Sequence, residues 1–231
     1  MRDDICTIPV SEVFEHNDGC PICRMRDTIE ERMTDYILGD AMMEPDVRIE
    51  TNKTGFCEHH YNNMMSRRGR LQLALMLQTH INEINGEIFK KKLFNTDSKK
   101  TGNAKNITDS CFICSKIEWG LSRMIETIYR CYETQKDFRD MFNSQSMFCL
   151  PHYERLLGGA SKRNMKSYYP EFSENLNRIT GEYSKSLYDD LSKYCTMYDY
   201  RSRDGETDWG NSRDAVERTV AFLNGRIYKE E

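Results

Sequence analysis

Residues 20–38 read CPICRMRDTIEERMTDYIL, a CxxC motif that runs directly into a helical pattern. Apolar side chains recur after the motif at intervals of three or four residues: Ile22, Met25, Ile29, Met33 and Ile37. This spacing places them on one face of an α-helix. The stretch therefore predicts a helix that begins beside the two cysteines and packs one face into a core.

The same motifs occur a second time further along the chain. Cys20-Pro21-Ile22-Cys23 is matched 91 residues later by Cys111-Phe112-Ile113-Cys114. Phe56-Cys57-Glu58-His59-His60 is matched 92 residues later by Phe148-Cys149-Leu150-Pro151-His152. Landmarks that recur at nearly one offset indicate an internal duplication.

The rest of the sequence is also mainly helical in period. Further helices are predicted from Tyr61 to about Leu93, from Cys114 to Glu133, from near Cys149, after Pro170, and from Arg213 to Leu223 with Asn211 or Ser212 as its cap. Thr7–Val10 is at best a short edge strand. The predicted fold is all-α: two pseudo-repeated helical hairpins with zinc-stapled helix starts, then a long C-terminal helix and a short final helix.

The duplication suggests boundaries along the chain. Residues 1–95 form the first CxxC…CxxH repeat and residues 111–200 the second, and residues 201–231 form a C-terminal loop and helix. The segment between the repeats, 96–110, lies in a polar run, NTDSKKTGNAKNITDS, whose composition is typical of a linker or an exposed loop. We expect the repeats to pack together as one domain.

Composition limits the classes of function that the chain can serve. It has 231 residues, 33 Lys and Arg against 37 Asp and Glu, and a net charge of −4, so non-specific nucleic-acid binding has no electrostatic support. No stretch approaches the roughly 20 apolar residues of a membrane helix, and the N-terminus has no signal-peptide core. We therefore expect a cytoplasmic protein, in which nine cysteines are more typical of metal or redox chemistry than of disulfides.

Each repeat supplies three cysteines and one histidine that could bind a metal ion. The candidate ligands are Cys20, Cys23, Cys57 and His60 in the first repeat and Cys111, Cys114, Cys149 and His152 in the second. Zinc suits this set because it takes four tetrahedral ligands, and thiolate with imidazole is a common structural combination. His60 is preferred to His59 because only His60 aligns with His152. Two zinc ions are expected.

The spacing leaves the pairing of the motifs open. A helix of roughly 15 residues after Cys23 is about 22 Å long, and the segment from Leu38 to Phe56 can extend about 60 Å. A site can therefore close within one repeat and join two helix starts. The exchanged arrangement, in which Cys20 and Cys23 meet Cys149 and His152, is also open.

Other chemistry at these residues is weighed against zinc. An iron–sulfur cluster held by three cysteines and a histidine is less expected. Thiol redox catalysis normally places a CxxC motif in a βαβ unit, and no such pattern surrounds Cys20. A catalytic zinc needs an open coordination position, which four protein ligands do not leave. Cys6, Cys131 and Cys195 fall outside the motifs and are interpreted as packing residues.

Two further segments carry clustered polar side chains. The acids of Glu44–Glu50 could be outer partners of His60 or, more simply, a solvated loop. The tail Tyr198–Asp214 is dense in aromatic and charged residues, and Trp209 is interpreted as an anchor of the tail against the helices. An alternative hypothesis is an enzyme whose active site lies between the repeats and is lined by these two segments.

These residues together carry a family resemblance. The chain resembles an uncharacterised bacterial family, a domain of unknown function, over nearly its full length. The resemblance depends on Ile8-Pro9-Val10, Cys20–Cys23, Met43–Arg48 with Thr51-Asn52, Gly55-Phe56-Cys57, Cys111–Cys114, Phe148–His152, Tyr198–Arg201, Trp209–Ser212 and Asp214-Ala215. Asp208 departs from the pattern, in which proline precedes the tail tryptophan. The resemblance implies no activity.

The leading hypothesis is therefore a zinc-binding protein that acts by binding, as an interaction scaffold or a regulator. We expect a protein partner, no nucleic acid and no membrane. An enzyme is less expected, and a thiol redox or iron–sulfur protein is the remaining alternative.

Overall fold

The computed structural model describes residues 8–90, 96–161, 165–199 and 208–225. Its α-helices are α1 Ile8–Phe14, α2 Pro21–Leu38, α3 Pro45–Thr54, α4 Glu58–Ser66, α5 Arg70–Ile84, α6 Asp97–Thr108, α7 Phe112–Thr134, α8 Lys136–Asn143, α9 Leu150–Gly159, α10 Tyr169–Tyr198 and α11 Ala215–Asn224. Short 3-10 turns at Asp40–Met43 and Gly210–Ser212 and a π-helical turn at Asn85–Phe89 complete the described elements. No strand occurs within these ranges, so the all-α fold is confirmed.

The chain groups into two compact units. The terminal unit comprises Met1–Met25 and Ser122–Glu231, and the central unit comprises Arg26–Leu121. These units do not coincide with the two predicted repeats, because the start of the first predicted repeat groups with most of the second. Helices α2 and α7 each contribute residues to both units.

The core of the terminal unit is aromatic. The Phe142 ring is fully buried and its centroid lies 4.9 Å from those of both Phe148 and Phe172 and 5.2 Å from that of Tyr132. Phe14 of α1 stacks on the same ring at 5.7 Å. Large aromatic rings dominate the energetics of a core, and this cluster fixes Phe148 directly before Cys149.

The core of the central unit is aliphatic and aromatic. It is formed by Ile37, Leu38, Ala41, Phe56, Met64, Leu73, Met76, Phe112 and Ile113. Phe56 precedes Cys57, and Phe112 and Ile113 follow Cys111, so buried side chains hold both motifs of this unit at the edge of the core. The amide of Phe112 also donates to the carbonyl of Gly55 at 3.0 Å.

Several boundaries differ from the sequence-based prediction. The predicted helix from Tyr61 to about Leu93 is broken between α4 and α5, where Gly69 adopts a φ of +111°, and its last residues lie outside the described ranges. A side chain at this position would meet the Leu38 Cβ at 3.2 Å, in a conformation that L-residues rarely adopt. The break therefore lets α5 turn back along the core.

Three segments predicted as non-helical contain helices. The polar run between the repeats contains α6, whose side chains are all at least partly exposed; Thr96 caps it by accepting a hydrogen bond from the Lys99 amide. The stretch predicted as an edge strand begins α1, with Thr7 outside the described residues. Pro45 opens α3 where a loop was expected, because proline suits the first turn of a helix.

The C-terminal helices follow the prediction more closely. Helix α10 covers the long helix expected after Pro170, and α11 covers the short final helix. The residue before α11 is Asp214, not Asn211 or Ser212, and its side chain makes no capping hydrogen bond. Trp209 contacts the rings of Tyr194 and Tyr198 on α10, as expected of an anchor.

Candidate metal centres

Each of the four cysteine motifs lies at the start of a helix. Cys57 and Cys149 are the N-cap residues of α4 and α9, and Cys20 and Cys111 directly precede α2 and α7. The carbonyl of each of these four cysteines accepts a hydrogen bond from the amide four residues later, at 2.8–3.3 Å. The second candidate ligand of each motif therefore lies on the first turn of its helix. Residues three positions apart share one face of a helix, so both ligands of a motif face the same side. The repeated spacing thus gives four closely similar local structures.

The terminal site gathers Cys20 and Cys23 with Cys149 and His152. His152 Nδ1 lies 3.6, 3.3 and 3.1 Å from the sulfurs of Cys20, Cys23 and Cys149. The sulfurs of Cys23 and Cys149 are 3.6 Å apart. All four residues are buried.

The central site gathers Cys57 and His60 with Cys111 and Cys114. His60 Nδ1 lies 3.1, 3.3 and 3.4 Å from the sulfurs of Cys57, Cys111 and Cys114. The sulfurs of Cys57 and Cys114 are 3.8 Å apart. The two sites therefore have the same donor atoms in nearly the same arrangement.

These spacings fit four ligands around one ion. An ideal tetrahedron with zinc–sulfur bonds of about 2.3 Å and a zinc–nitrogen bond of about 2.0–2.1 Å places sulfur and nitrogen about 3.6 Å apart and two sulfurs about 3.8 Å apart. The observed separations are within about 0.5 Å of these values. The two sulfur–sulfur distances are far longer than the roughly 2.05 Å of a disulfide. Both tetrads could therefore bind a metal ion.

The pKa values of the terminal site show competition for negative charge. Burial raises the pKa of the Cys20 thiol, but hydrogen bonds involving Cys149, Cys23 and His152 outweigh burial and leave this pKa well below its usual range. Cys149 raises the pKa of Cys23. Cys20 in turn raises the pKa of Cys149 to about 12. Adjacent thiols cannot all ionise without a cation between them, and a bound metal ion relieves this conflict.

The central site has the same character. Burial raises the pKa of the Cys111 thiol, but hydrogen bonding to His60 and to backbone amides lowers it overall to about 6. Burial and the neighbouring Cys111 raise the pKa of Cys114. Burial lowers the pKa of His60, but Cys111 and Glu30 outweigh it and raise this pKa to about 10. The Cys111 thiolate therefore favours a positive charge beside it, and a metal ion can supply that charge when His60 releases its proton.

A carboxylate supports the histidine of the central site. Glu30 Oε1 lies 3.2 Å from Nε2 of His60 and 2.6 Å from Nε2 of His59. The neighbouring rings of His60 and His59 lower the pKa of Glu30 to about 2, against the opposing effect of burial. Histidines that bind metals commonly donate their second ring nitrogen to such a carboxylate, which fixes the tautomer. In the central site Nδ1 of His60 faces the three sulfurs, and Nε2 lies on the side of Glu30.

The structure selects one of the two pairings that the sequence leaves open. The motifs exchange between repeats: the first CxxC meets the second CxxH, and the first CxxH meets the second CxxC. Closure within a repeat is therefore not the arrangement adopted. Helix α9 packs against α10 and α11 in the terminal unit, which holds Cys149 and His152 beside the start of α2.

Other predicted residues lie elsewhere. His59 is outside both tetrads and contacts Glu30. The carboxylate beside His60 is that of Glu30, whereas Glu50 of the segment Glu44–Glu50 binds Lys116 at 2.9 Å. Nothing in the sequence pattern singles out Glu30. Its position two turns along α2 becomes apparent only once the helix is known.

The remaining cysteines divide by burial. Cys131 is buried, as expected of a packing residue, whereas Cys195 is exposed on α10, so the packing interpretation is wrong for Cys195. Cys6 lies outside the described residues. Of the two segments assigned to an alternative active site, Pro45–Glu50 is helical and belongs to the central unit, and residues 200–207 of the tail lie outside the described ranges.

The fold and these sites define an all-helical protein with two Cys₃His tetrads, each at the meeting point of two helix starts. The chain belongs to a family of unknown function, DUF6062, whose match covers residues 1–230. No curated protein and no solved structure matches the chain. Within the described ranges, no helix is long and apolar enough to cross a membrane.

Proposed function

We propose that this protein binds two zinc ions, one in each tetrad, and that the ions are structural. The observation that carries the proposal is the spacing of the donor atoms: three sulfurs and one Nδ1 surround a single point in each site. All four donors of each tetrad lie within 4.8 Å of one another, which suits one ion. A cluster of several irons would spread its ligands over different metal atoms, so a single ion is favoured over an iron–sulfur centre.

A structural role follows from the number of ligands. Four protein donors complete the usual coordination of zinc and leave no position for water or substrate. Each ion would join two helix starts that are far apart in the sequence. Structural zinc contributes roughly 10–16 kcal/mol of apparent binding free energy, comparable to the roughly 5–15 kcal/mol net stability of a domain. Each unit would therefore depend on its ion.

With no open metal position, the proposed activity is binding, as an interaction scaffold or a regulator. Large apolar side chains at the surface of the central unit, such as Leu71 and Phe89, support a protein partner. The net charge of −4 gives no support for nucleic acid. None of the described cysteines forms a disulfide, which suits a reducing compartment such as the cytoplasm.

Element analysis of the purified full-length chain tests the metal assignment. We expect two zinc per chain, a colourless solution, and loss of helical circular dichroism when a strong chelator removes the metal. Brown absorbance with iron and sulfide would contradict the assignment. Helical content and thermal stability that stay the same after complete metal removal would contradict the structural role.

A comparison of binding tests the proposed scaffold role. Variants Leu71→Glu and Phe89→Glu should lose a partner captured by the wild-type protein while retaining two zinc. A matched control is Glu83→Gln on the exposed surface of the same unit, which should retain the partner. Turnover of a disulfide substrate by the zinc-loaded protein would instead support the redox alternative.

A further inference from the structure

The two sites share their donors but differ in their access to solvent. In the terminal site every donor residue is buried, with Cys20 the most accessible at 8%. In the central site His60 is buried, but Cys57 and Cys111 are partly exposed and Cys114 is exposed. A reagent in solution can therefore reach one tetrad and not the other.

The difference has a local structural cause. Helix α11 contacts α9, and the carbonyl of Gly225, directly after α11, lies 3.2 Å from the sulfur of Cys23. The equivalent cysteine of the other CxxC motif is Cys114, on the first turn of α7. Phe112 and Ile113 point into the core there, and Cys114 points to the surface.

We propose that the central site is a thiol-reactive site that releases its ion when Cys114 is oxidised, while the terminal site keeps its ion. This inference rests on the proposed function, since both sites must hold zinc. Oxidation of cysteine follows thiolate character and exposure. A metal-bound sulfur has thiolate character in both sites, so exposure decides which site reacts.

The reaction with a peroxide as the oxidant is balanced in two steps. The Cys114 thiolate attacks hydrogen peroxide: a sulfur–oxygen bond forms, the oxygen–oxygen bond breaks, and hydroxide leaves, giving a sulfenic acid. The Cys57 thiolate, 3.8 Å away, then attacks that sulfur: a disulfide forms and a second hydroxide leaves. The two thiolates lose two electrons and the peroxide gains them. Cys111 and His60 alone then remain as donors, and the zinc ion dissociates.

The test uses the zinc-loaded full-length protein. Its metal content is first measured, and hydrogen peroxide is then added in the presence of a chromophoric zinc chelator. One of the two ions should appear at least about tenfold faster than the other, because exposure separates the two thiolate sets. Peptide mapping at the end of the fast phase should find a disulfide between Cys57 and Cys114, with the terminal-site cysteines unmodified.

Two variants separate this mechanism from general oxidation. Cys114→His keeps four donors but removes the most exposed sulfur of the central site, so the fast release of zinc should become slower. Cys195→Ser removes an exposed thiol outside the tetrads and should leave both phases unchanged. If Cys114→His does not retain two ions, the wild-type protein is labelled with iodoacetamide instead, and the order in which its cysteines react is measured. Cys114 should be labelled first.

Failure of this inference differs from failure of the proposed function. Fewer than two zinc before the peroxide is added defeats the proposed function and the inference with it. Three results overturn the inference alone. The first is that the two zinc ions leave at the same rate, and the second is that a cysteine of the terminal site is modified before Cys114. The third result is that no zinc has been released by the time Cys195 is fully oxidised.

Discussion

The sulfurs of Cys23 and Cys149 lie 3.6 Å apart, although 126 positions separate them in the chain. The same exchange brings Cys57 within 3.8 Å of Cys114. Each tetrad thus combines the CxxC motif of one predicted repeat with the CxxH motif of the other. Because the four helix starts are locally alike, their local structure does not decide which two motifs meet.

Double variants test the exchanged pairing by metal content. Cys23→Ala with Cys149→Ala removes two donors from the terminal site only, so one zinc per chain should remain. Cys23→Ala with Cys57→Ala removes a donor from each site and should leave less than one zinc, because each site then lacks the fourth protein ligand of a structural zinc site. If each site closed within one repeat, the first double variant would leave less than one zinc and the second would keep one zinc. Cys195→Ala is the control and should retain two zinc.

Glu30→Gln tests the carboxylate behind the metal-binding histidine. The variant keeps the shape of the side chain but weakens the acceptor 3.2 Å from Nε2 of His60. The zinc affinity of the central site should fall about 10–100-fold, the usual effect of losing such a partner. Competition with a chelator measures it.

The control for Glu30→Gln is Glu31→Gln, an exposed neighbour on the same helix. Its zinc affinity should match that of the wild type. Equal affinities for all three proteins would mean that Glu30 does not orient His60.

Phe142→Ala tests the aromatic core of the terminal unit. The ring is completely buried and contacts four other aromatic rings, so its removal leaves a large cavity. The free energy of unfolding should fall by about 3–5 kcal/mol in chemical denaturation. Tyr188→Ala removes an exposed ring from the same unit and should change stability by less than about 0.5 kcal/mol. Similar losses in both variants would argue against this core.

Gly55→Ala tests the turn that leads into the central site. Gly55 has a φ of +59°, and a Cβ there would lie 2.7 Å from Nε2 of His80, whose other ring nitrogen donates to the Asn52 carbonyl. The variant should lose more than about 1 kcal/mol of unfolding free energy through backbone strain and this contact. Thermal denaturation of the zinc-loaded protein measures the change.

A second glycine-to-alanine substitution in the same unit separates the effect of backbone strain from the general effect of replacing glycine by alanine. Gly102 lies in the exposed helix α6, and a Cβ there meets no other atom within 4 Å. Gly102→Ala should stabilise the protein by up to about 1 kcal/mol, because alanine favours a helix. A loss of stability at Gly102, or a gain at Gly55, would contradict these two local structures.

Local patterns were the most reliable guide to the helices, and they failed where a contact elsewhere in the chain intervened. The stripe after Cys23 predicted α2 because its apolar residues lie on one face, where Met25 and Ile37 are buried and Ile29 and Met33 are partly buried. The stripe after Tyr61 gave no sign of the break at Gly69, because the turn depends on the approach of Leu38. Helix α6 was missed because its side chains are polar, and polarity alone does not distinguish an exposed helix from a loop.

The sequence by itself determined the candidate ligands and their local geometry. The i, i+3 spacing of the ligands and the helix start at each motif are short-range properties. The alignment of the two copies of the motif favoured His60 over His59 from the sequence alone. Only the tertiary structure decided which motifs meet, which carboxylate supports His60 and which site is open to solvent. Those features depend on packing between residues far apart in the chain, such as Gly225 beside Cys23, and no local pattern encodes them.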